Sequence, residues 1–259
     1  MKSIVAVNLI AFKTIVIKEI RRFMRIWVQT IVPPAVSAVL YMMIFGTLIG
    51  SRVGEMDGHS YIDFIVPGII MMAVITNSYG NSVSSFFGAK FQNHLDELLI
   101  APVFNWVILL GFVVGGVCRG LAVGSLVAVV SLFFTSFTVE NPLITFLVVV
   151  LTSMLFSIGG VINSIYAKGF DDISIIPNFV LTPLTYLGGI FYSIKLLPDF
   201  WQGLSFINPV LYMINGFRFG ILGRSDIDIG LSFLVIAVFI ILLATIALYL
   251  LNKGVGIKS

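Results

Sequence analysis

Six long apolar stretches, separated by short polar segments, are the feature that most restricts how this chain can fold. About 20 apolar residues in a helix cross the hydrocarbon core of a bilayer, and each stretch reaches roughly that length. Hydrophobic residues make up 59% of the 259 residues and charged residues only 10%, whereas a soluble domain carries about 25% charged residues. The sequence therefore predicts an all-α polytopic membrane protein with six transmembrane helices, at residues 27–49, 62–86, 106–134, 142–166, 173–191 and 229–251.

The first 26 residues carry too many charges to form a span, but they have the pattern of an amphipathic helix. At about 100° per residue, apolar side chains three and four residues apart share one face, and basic side chains share the opposite face. This pattern predicts that residues 1–26 form a helix lying in the membrane interface, with a basic soluble tail as the alternative. The apolar face holds Leu9, Phe12, Val16, Ile20 and Phe23, and the basic face holds Lys13, Lys18, Arg21, Arg22 and Arg25.

The distribution of lysine and arginine predicts the orientation of the spans, because cytoplasmic segments of membrane proteins carry an excess of both. With the N-terminus inside, the inner segments hold ten basic residues and the outer segments hold four. We therefore expect both termini in the cytoplasm, with residues 252–259 as a cytoplasmic tail. The inner ten are Lys2, Lys13, Lys18, Arg21, Arg22, Arg25, Lys90, Lys168, Lys253 and Lys258, and the outer four are Arg52, Lys195, Arg218 and Arg224.

The segment before the sixth span, residues 196–223, is apolar but cannot form an ordinary span. Asn208 and Pro209 interrupt it, and Arg218 places a charge near its end. Irregular backbone inside a membrane has to be covered by protein or water, because lipid offers it no hydrogen-bond partner. These residues predict a re-entrant pair of short helices that breaks at Asn208 and Pro209.

No motif for catalysis, nucleotide binding or metal binding occurs in the sequence. It contains neither a GxxxxGK[ST] phosphate loop nor a GxGxxG fingerprint, and His59, His94 and the single Cys118 stand apart from one another. The formal net charge of +3 comes from basic residues beside the spans, which argues against a nucleic-acid partner. We therefore expect no enzymatic activity, no metal site and no cofactor bound by this chain.

Three stretches carry a recognisable family pattern, in the right order and spacing. The first runs from YIDFIVPGIIMM to FFGAKFQNHLDELLIAPV, through the second span and the segment behind it. The second is TPLTYLGGIFYSIKLLPDFWQGLSFINP, and the third, INPVLYMINGFRFGILG, continues it with asparagine-proline, arginine and glycine before the last span. Together they resemble the ABC-2 type transporter permeases of bacterial exporters. Asn93 and His94 depart from the pattern, since many members have Gly-Thr at these positions.

The resemblance implies a single ABC-2 type transmembrane domain over residues 1–259, located in the bacterial inner membrane and surrounded by lipid. It also implies a homodimer, or a pair of like subunits, that works with a separate ATPase subunit. That ATPase, and not this chain, would bind ATP and Mg. In such systems ATP binding rocks the permeases between inward-open and outward-open states, so the resemblance indicates the permease subunit of an ATP-driven exporter that works by alternating access.

In this family a cytoplasmic coupling helix between the second and third spans transmits the movement of the ATPase to the membrane. The residues that match it are Leu95, Asp96, Leu98, Leu99 and Pro102, with Glu97 lying among them. Exposed acids beside apolar leucines also suit a small docking surface with a polar rim. An ordinary amphipathic connecting helix is the alternative.

Polar side chains inside two predicted spans are candidates for the transport path, because polar groups in a bilayer usually face a cavity or a partner. Family members place these two spans around the path, so the resemblance implies that both sets line it. Helix–helix packing is the alternative, since small polar residues also permit close contacts. The second span contributes one arc with Asn77, Ser78, Asn81, Ser84 and Ser85, and the fifth contributes Asn178, Thr182, Thr185 and Gly189, with Tyr186 beside them.

Arg119 is the one basic residue deep inside a predicted span, where a charge costs at least about 2.5–3.5 kcal/mol. We expect it to reach water or an acid, and Asp171 and Asp172 at the inner end of the fifth span are its possible partners. It either serves gating and the path or snorkels to the interface. A ridge of small residues on the same span is interpreted as packing: Gly116, Gly120 and Gly124.

Two other functional classes stay open on the sequence alone. A secondary transporter or channel would need no ATPase, but it usually carries coupling carboxylates inside its spans, and none is evident here. A non-transporting assembly factor would need neither two spans with polar faces nor a re-entrant segment. No motif points to a particular substrate.

Overall fold

The computed structural model describes residues 4–56 and 58–256. Within them, five helices are long and apolar enough to cross a membrane, and these coincide with five of the six predicted spans. The protein is thus an all-α polytopic membrane protein. The last three residues of the predicted tail, 257–259, lie outside the described ranges. The five spans are Trp27–Val53, Tyr61–Phe91, Asn105–Ser131, Pro142–Tyr166 and Ile229–Lys253.

The helices of the described ranges are numbered in chain order. They are α1 Ile4–Arg25, α2 Trp27–Tyr41, α3 Gly50–Val53, α4 Tyr61–Phe91, α5 His94–Ile100, α6 Asn105–Ser131, α7 Pro142–Tyr166, α8 Asp172–Ile176, α9 Thr182–Tyr186, α10 Asp199–Ile207, α11 Pro209–Leu222 and α12 Ile229–Lys253. Wider π-helical turns continue two of them, over Met42–Ile49 after α2 and Pro177–Leu181 after α8, and a 3₁₀ turn covers Ile194–Leu196. A short antiparallel hairpin pairs β1, Glu55–Met56, with β2, His59–Ser60.

The fifth predicted span, residues 173–191, forms a shorter helical segment than expected. Helix α8, the π-helical turn and α9 follow one another over residues 172–186, which is about 22 Å at 1.5 Å per residue. The chain then turns at Gly189, whose φ of 76° only glycine adopts easily. This segment is too short to cross a hydrocarbon core of about 30 Å unaided, so a span at residues 173–191, and with it a total of six spans, stays a prediction.

Helices α4, α6 and α7 form the centre of the bundle, and small residues line their contacts. A Cβ added at Gly120 of α6 would overlap the side chain of Ser78 on α4, and one at Gly160 of α7 would lie 2.7 Å from the backbone oxygen of Tyr79. Lipid tails are as apolar as leucine, so close van der Waals contact between small residues holds such helices together. The glycine ridge on α6 packs against its neighbours, as interpreted from the sequence.

Helix α1 runs alongside α6. Asn8 accepts a hydrogen bond from the backbone N–H of Phe104 at 2.9 Å, and Glu19 packs against Gly115. The two contacts are equally spaced on both helices, from 8 to 19 and from 104 to 115, so the helices are parallel. Gly115 is ten residues after Asn105, the first residue of the span α6. Glu19 therefore lies about 15 Å along the axis of α6 from the start of that span.

The face of α1 that packs differs from the apolar face that the sequence predicts. The buried residues are Asn8, Ile15, Glu19 and Phe23, whereas Leu9 is 67% exposed. Only Phe23 belongs to both sets, so the apolar face stays predicted to contact the membrane, and Gly115 lets the packed face approach closely enough for a carboxylate to be buried among polar partners. The C-terminal half of α1 lies beside a span, and an interfacial position for the whole helix stays a prediction.

The predicted break before the last span is present. Helix α10 ends at Ile207 and α11 begins at Pro209, and the side chain of Asn208 joins the two by accepting the N–H of Val210 at 3.0 Å. The same side chain donates to the backbone oxygen of Leu184 at 2.6 Å. Helix α11 is mostly buried against α4, α7 and α12, while α10 is largely exposed. Re-entry of this pair into the membrane stays a prediction.

Candidate functional site

A cavity of about 450 Å³ lies between α2, α4, α6 and α9. It gathers five of the residues singled out in the sequence, from three separate helices. Asn77 comes from the middle of α4 and Arg119 from the middle of α6, while α9 contributes Thr182, Thr185 and Tyr186. Helix α2 supplies the opposite wall, with Thr30, Ser37 and Tyr41 among its lining residues. These polar side chains share one space, although long stretches of chain separate them.

The remaining path candidates lie elsewhere. Ser78 is fully buried against Gly120 in the central packing, and Asn178 is exposed but does not line the cavity. Asn81 and Ser85 point toward α1, where they bond Arg22 and Glu19. Of the polar arc on α4, then, only Asn77 reaches the cavity. For Ser78, helix–helix packing is therefore a better description than a position on the transport path.

Arg119 does not pair with the acids proposed for it. Its Nη2 donates to Oδ1 of Asn77 at 3.0 Å. Asp172 instead accepts the backbone N–H groups of Lys168 and Gly169, at 2.8 and 3.2 Å, in the turn after α7. The predicted pairing with Asp171 or Asp172 is therefore wrong, because these acids begin α8 and Asp172 closes the turn there. Arg119 faces the cavity and is held by an amide instead of a charge.

An aromatic cluster borders the cavity at the end nearest the N-terminus of α4. The hydroxyl groups of Tyr41 and Tyr186 lie 3.3 Å apart, and the rings of Phe45 and Phe191 stack with centroids 4.4 Å apart. Tyr61, the first residue of α4, donates to the backbone oxygen of Phe191 at 2.9 Å. Sequence analysis missed this cluster, since aromatic residues inside spans carry no signal that separates a seal from ordinary packing.

On the other side of the cavity, α4 has one open face. Thr76 and Ser84 are its exposed residues before Phe91, and Gly80 lies between them with open space where a Cβ would stand. Gly88 continues the row with the same open space. The spacing of four residues keeps the row on one side of the helix. This row, Thr76–Gly80–Ser84–Gly88, leads from the cavity to the C-terminal end of α4.

Glu19 of α1 is a fully buried carboxylate that sequence analysis missed. Its oxygens accept the hydroxyl of Ser85 at 2.5 Å and the amide of Asn81 at 3.5 Å, and Arg22 lies at 3.5 Å. Arg22 also donates to the side-chain oxygen of Asn81 at 2.8 Å. A buried charge is tolerated only when it is paired and hydrogen-bonded in this way. The signal available in the sequence was Glu19 itself, a single acid among five basic residues and three positions before Arg22.

The segment matched to the coupling helix forms a helix, α5, in the structure. Its coupling role stays a prediction. Asn93, at the junction with α4, has a φ of 58° in the left-handed region. Glycine adopts that conformation without strain and asparagine tolerates it better than most residues. Many family members have a glycine at this place. That glycine and Asn93 therefore satisfy the same backbone requirement.

The leucines of α5 face this chain's own bundle. Leu95 is 1% exposed, and Leu98 and Leu99 are half-buried against the core. Leu95 therefore anchors α5 and does not reach outward, while a docking role for the half-buried Leu98 and Leu99 stays a prediction. Glu97 is exposed, Asp96 is half-buried, and Ile100 is 85% exposed. Pro102 lies just past the end of the helix.

Lys90 fixes the end of α4 from which α5 departs. Its ammonium group donates to the backbone oxygens of Ile165 and Ala167 at 2.7 and 2.8 Å. These carbonyls belong to the end of α7, where the helix leaves its last acceptors unpaired and favours a positive charge. The base of α5 is thus tied to the central bundle.

Arg218 has a structural setting in α11. It is 3% exposed, its Nη2 donates to the backbone oxygen of Gly189 at 2.7 Å, and its guanidinium lies 3.9 Å from the ring centre of Phe64. It therefore connects α11 with the turn after α9 and with α4. Among the described residues, no group of three or more histidine, cysteine, aspartate or glutamate side chains could hold a metal ion.

Comparison with known proteins places these features in one family. Residues 10–222 match the family model described as "ABC-2 type transporter". The chain is 58% identical over 250 residues to the "Inner membrane transport permease YadH" of Escherichia coli (strain K12), covering 96% of this chain and 98% of that one. It is 23% identical over 206 residues to "Nodulation protein J" of Sinorhizobium fredii (strain NBRC 101917 / NGR234), covering 79% of each. The chain belongs to the ABC-2 type transporter family, as a transport permease of an ABC system.

Proposed function

We propose that this chain is the permease of an ATP-driven exporter in the bacterial inner membrane, powered by a separate ATPase subunit that docks at α5. The observation that carries the proposal is helix α5 itself. Buried Leu95 anchors it to the bundle, and it presents Glu97 and Ile100 outward. The name of the relative from Escherichia coli, an inner membrane transport permease, supports the inner-membrane location.

The cavity supports a path that works by alternating access. At its aromatic end the hydroxyl groups of Tyr41 and Tyr186 are in contact, and the predicted orientation of the spans puts that end outside. The row Thr76–Gly80–Ser84–Gly88 leaves its other side open toward the cytoplasm. These features support assigning this structure to the inward-open state of the proposed cycle. In the proposed cycle, ATP binding by the partner separates the aromatic cluster and lets substrate leave on the outside.

Two copies of the chain would form one path. Helix α2 buries only Thr30 and Ala38 of its 15 residues, and beside the cavity Phe179 is 76% exposed. These elements have apolar surfaces that either lipid or a protein can cover. A second copy placed against them would enclose the cavity from the side, in agreement with the homodimer that the family resemblance implies.

Charge reversal at α5 tests the docking proposal. Changing Asp96 and Glu97 together to Lys should leave insertion intact, because neither side chain belongs to the buried core. Like charges in place of paired ones cost several kcal/mol at an interface, so the variant should lose ATPase recruitment and transport together. The measurement is co-purification of the ATPase with the permease from detergent. The purified permease alone should show no ATP hydrolysis.

Gln92→Ala is the matched control, since Gln92 is exposed beside α5 but outside the matched stretch. It should recruit the ATPase normally. If the double Lys variant also co-purifies with the ATPase at the normal level, docking at α5 is refuted.

A further inference from the structure

The open row of α4 joins the central cavity to a second space, a groove beside α1. The groove has a volume of about 1190 Å³, and Ser84 and Gly88 of the row line it. Thr76, at the other end of the row, lines the cavity. From the charges along this route, we propose that the permease carries a small organic anion with an apolar body. This proposal rests on the proposed transport path.

Every formally charged side chain that lines the route is basic. Within residues 4–56 and 58–256, no aspartate or glutamate lines the groove or the cavity. Arg22 is paired with Glu19 at 3.5 Å, whereas the other basic residues of the route form no ion pair with a described residue. A cleft lined by charges of one sign concentrates ions of the opposite sign. The basic residues are Lys18, Arg21, Arg22 and Arg25 in the groove and Arg119 in the cavity.

The arginines at the end of α1 lie close to the level of Arg119. Helix α1 runs parallel to α6 and places Glu19 beside Gly115. Arg25 is six residues further along α1 and is therefore level with residue 121 of α6, two positions from Arg119. The wall of the cavity is attached at the same level, since the hydroxyl of Thr30 donates to a backbone oxygen near the end of α1 at 3.2 Å. The positive charges thus gather where the route enters the cavity.

Arg119 is the proposed contact for the acidic group of the substrate. Its Nη2 donates to the amide oxygen of Asn77 at 3.0 Å, and this neutral partner orients the guanidinium without cancelling its charge. Its Nε is buried and has no hydrogen-bond partner in the described part of the chain. A charge inside a span is costly and usually faces a cavity or a partner. A carboxylate or phosphate group in the cavity would supply that partner through charge-assisted hydrogen bonds.

The remaining walls of the cavity suit an apolar body. Ile69 and Met72 of α4 and Pro33 and Pro34 of α2 line it together with Arg119. Its volume of about 450 Å³ is within the range of sites for small organic molecules. An inorganic anion would leave these apolar walls in contact with water, and a cation would be repelled by the guanidinium. A small organic acid matches both the charge and the apolar surface.

The test measures how well small molecules protect a thiol in the cavity. In a Cys118→Ala background, Thr182→Cys places the thiol there, and the neutral reagent iodoacetamide labels it in the purified full-length permease in uncharged detergent. The probes are octanoate and octyl phosphate, the cation octyltrimethylammonium with the same chain, and inorganic phosphate. Both organic anions should protect the thiol at concentrations about tenfold lower than the cation does.

Charge variants locate the site. Arg119→Gln should raise the protective concentration of octanoate by about tenfold, because a hydrogen bond to a charged group is lost. Arg21→Gln combined with Arg25→Gln should raise it by a smaller factor, and both positions are exposed, so the fold is not affected. Arg119→Lys should keep most of the protection, and size-exclusion chromatography checks that each variant is folded. Arg52→Gln is the matched control, since it removes the same charge from an exposed position outside both spaces.

Equal protection by octanoate and octyltrimethylammonium would overturn the proposal. So would unchanged protection by octanoate in Arg119→Gln, or protection by inorganic phosphate at the same concentration as octanoate, which indicates a site for inorganic anions. The assay uses the permease alone, so its result is separate from the docking experiment at α5. Protection by octanoate in a permease whose ATPase docks elsewhere would refute docking at α5 and still support the anion site.

Discussion

The central helices α4, α6 and α7 differ sharply from the pair formed by α2 and residues 172–186. Helix α4 is buried along most of its 31 residues, whereas α2 buries two of 15. Glycine and serine line the central contacts. The outer pair instead has Pro33 and Pro34 in α2, a π-helical turn directly after α2, and another within residues 172–186. The cavity lies where the two regions meet, so a rigid bundle forms one wall and loosely held helices form the other.

This difference indicates which part of the molecule can move. Close-packed interfaces have discrete arrangements and resist deformation, while π-helical turns and prolines interrupt the regular hydrogen-bond ladder of a helix. We therefore assign the change of access to α2 and residues 172–186, with α4, α6 and α7 as the fixed frame. Glu19 accepts a hydrogen bond from Ser85 and so ties α1 to α4, which makes α1 part of the fixed frame.

The largest effect on stability is expected from adding one methyl group to the frame, the close-packed helices α4, α6 and α7. Gly160→Ala places a Cβ 2.7 Å from the backbone oxygen of Tyr79 and 3.0 Å from the backbone nitrogen of Val83, and backbone atoms cannot move aside cheaply. We expect a loss of about 3 kcal/mol of unfolding free energy, at the upper end for overpacking. Unfolding in mixed detergent micelles measures it.

The neighbouring Gly159 is a matched control, because a Cβ there would meet only Tyr79 Cε2 at 4.0 Å. Gly159→Ala should be neutral or stabilise the helix by up to about 1 kcal/mol, since alanine is the better helix former. Equal behaviour of the two alanine variants would show that the centre is not close-packed.

A smaller effect is expected from removing the carboxylate of α1. Glu19→Ala leaves the hydroxyl of Ser85 and the amide of Asn81 without their acceptor and removes the carboxylate beside Arg22, and buried groups that lose a partner cost about 1–3 kcal/mol. Arg22 is partly exposed and can turn to water, so we expect about 2 kcal/mol. Glu140→Ala, at an exposed position, should have almost no effect. An unfolding free energy that stays the same or rises in Glu19→Ala would remove Glu19 from the frame.

The smallest effect on stability, and the finest distinction, comes from single cysteines in a Cys118→Ala background. A cysteine at Thr182 faces the cavity and should react with a small water-soluble thiol reagent, whereas one at Ser78 should be protected. Both variants should keep near-native stability, because serine and threonine are close to cysteine in size. Rapid labelling at Ser78 would mean that the polar arc of α4 faces water and not α6.

Several elements follow from the sequence because their signal is local. Long apolar stretches predict the five spans, and Asn208-Pro209 predicts the break between α10 and α11. The matched coupling segment is also helical, as α5. The fifth predicted span was harder to delimit, since the helical segment ends at Tyr186 and the chain turns at Gly189 inside an apolar stretch. Composition counts apolar residues, but backbone geometry decides where a helix ends.

The candidate site was predictable only in part. Asn77, Thr182, Thr185 and Tyr186 were found because polar residues in spans stand out, and the structure brings them together. The same pattern also selected Ser78, Asn81 and Ser85, which serve contacts with α6 and α1. Helical periodicity gives the direction of a side chain on its own helix. It does not give the neighbour that the side chain meets.

The sequence by itself determined that this chain is a polytopic membrane protein, because its apolar length and low charge leave a bilayer as its only suitable solvent. The tertiary structure decided the pairings of its few buried polar groups. Arg119 is held by Asn77 and not by an aspartate, and Glu19 lies against α4 and α6. Such groups must find partners within the bundle, and which partner lies in reach depends on how closely small residues let the helices approach.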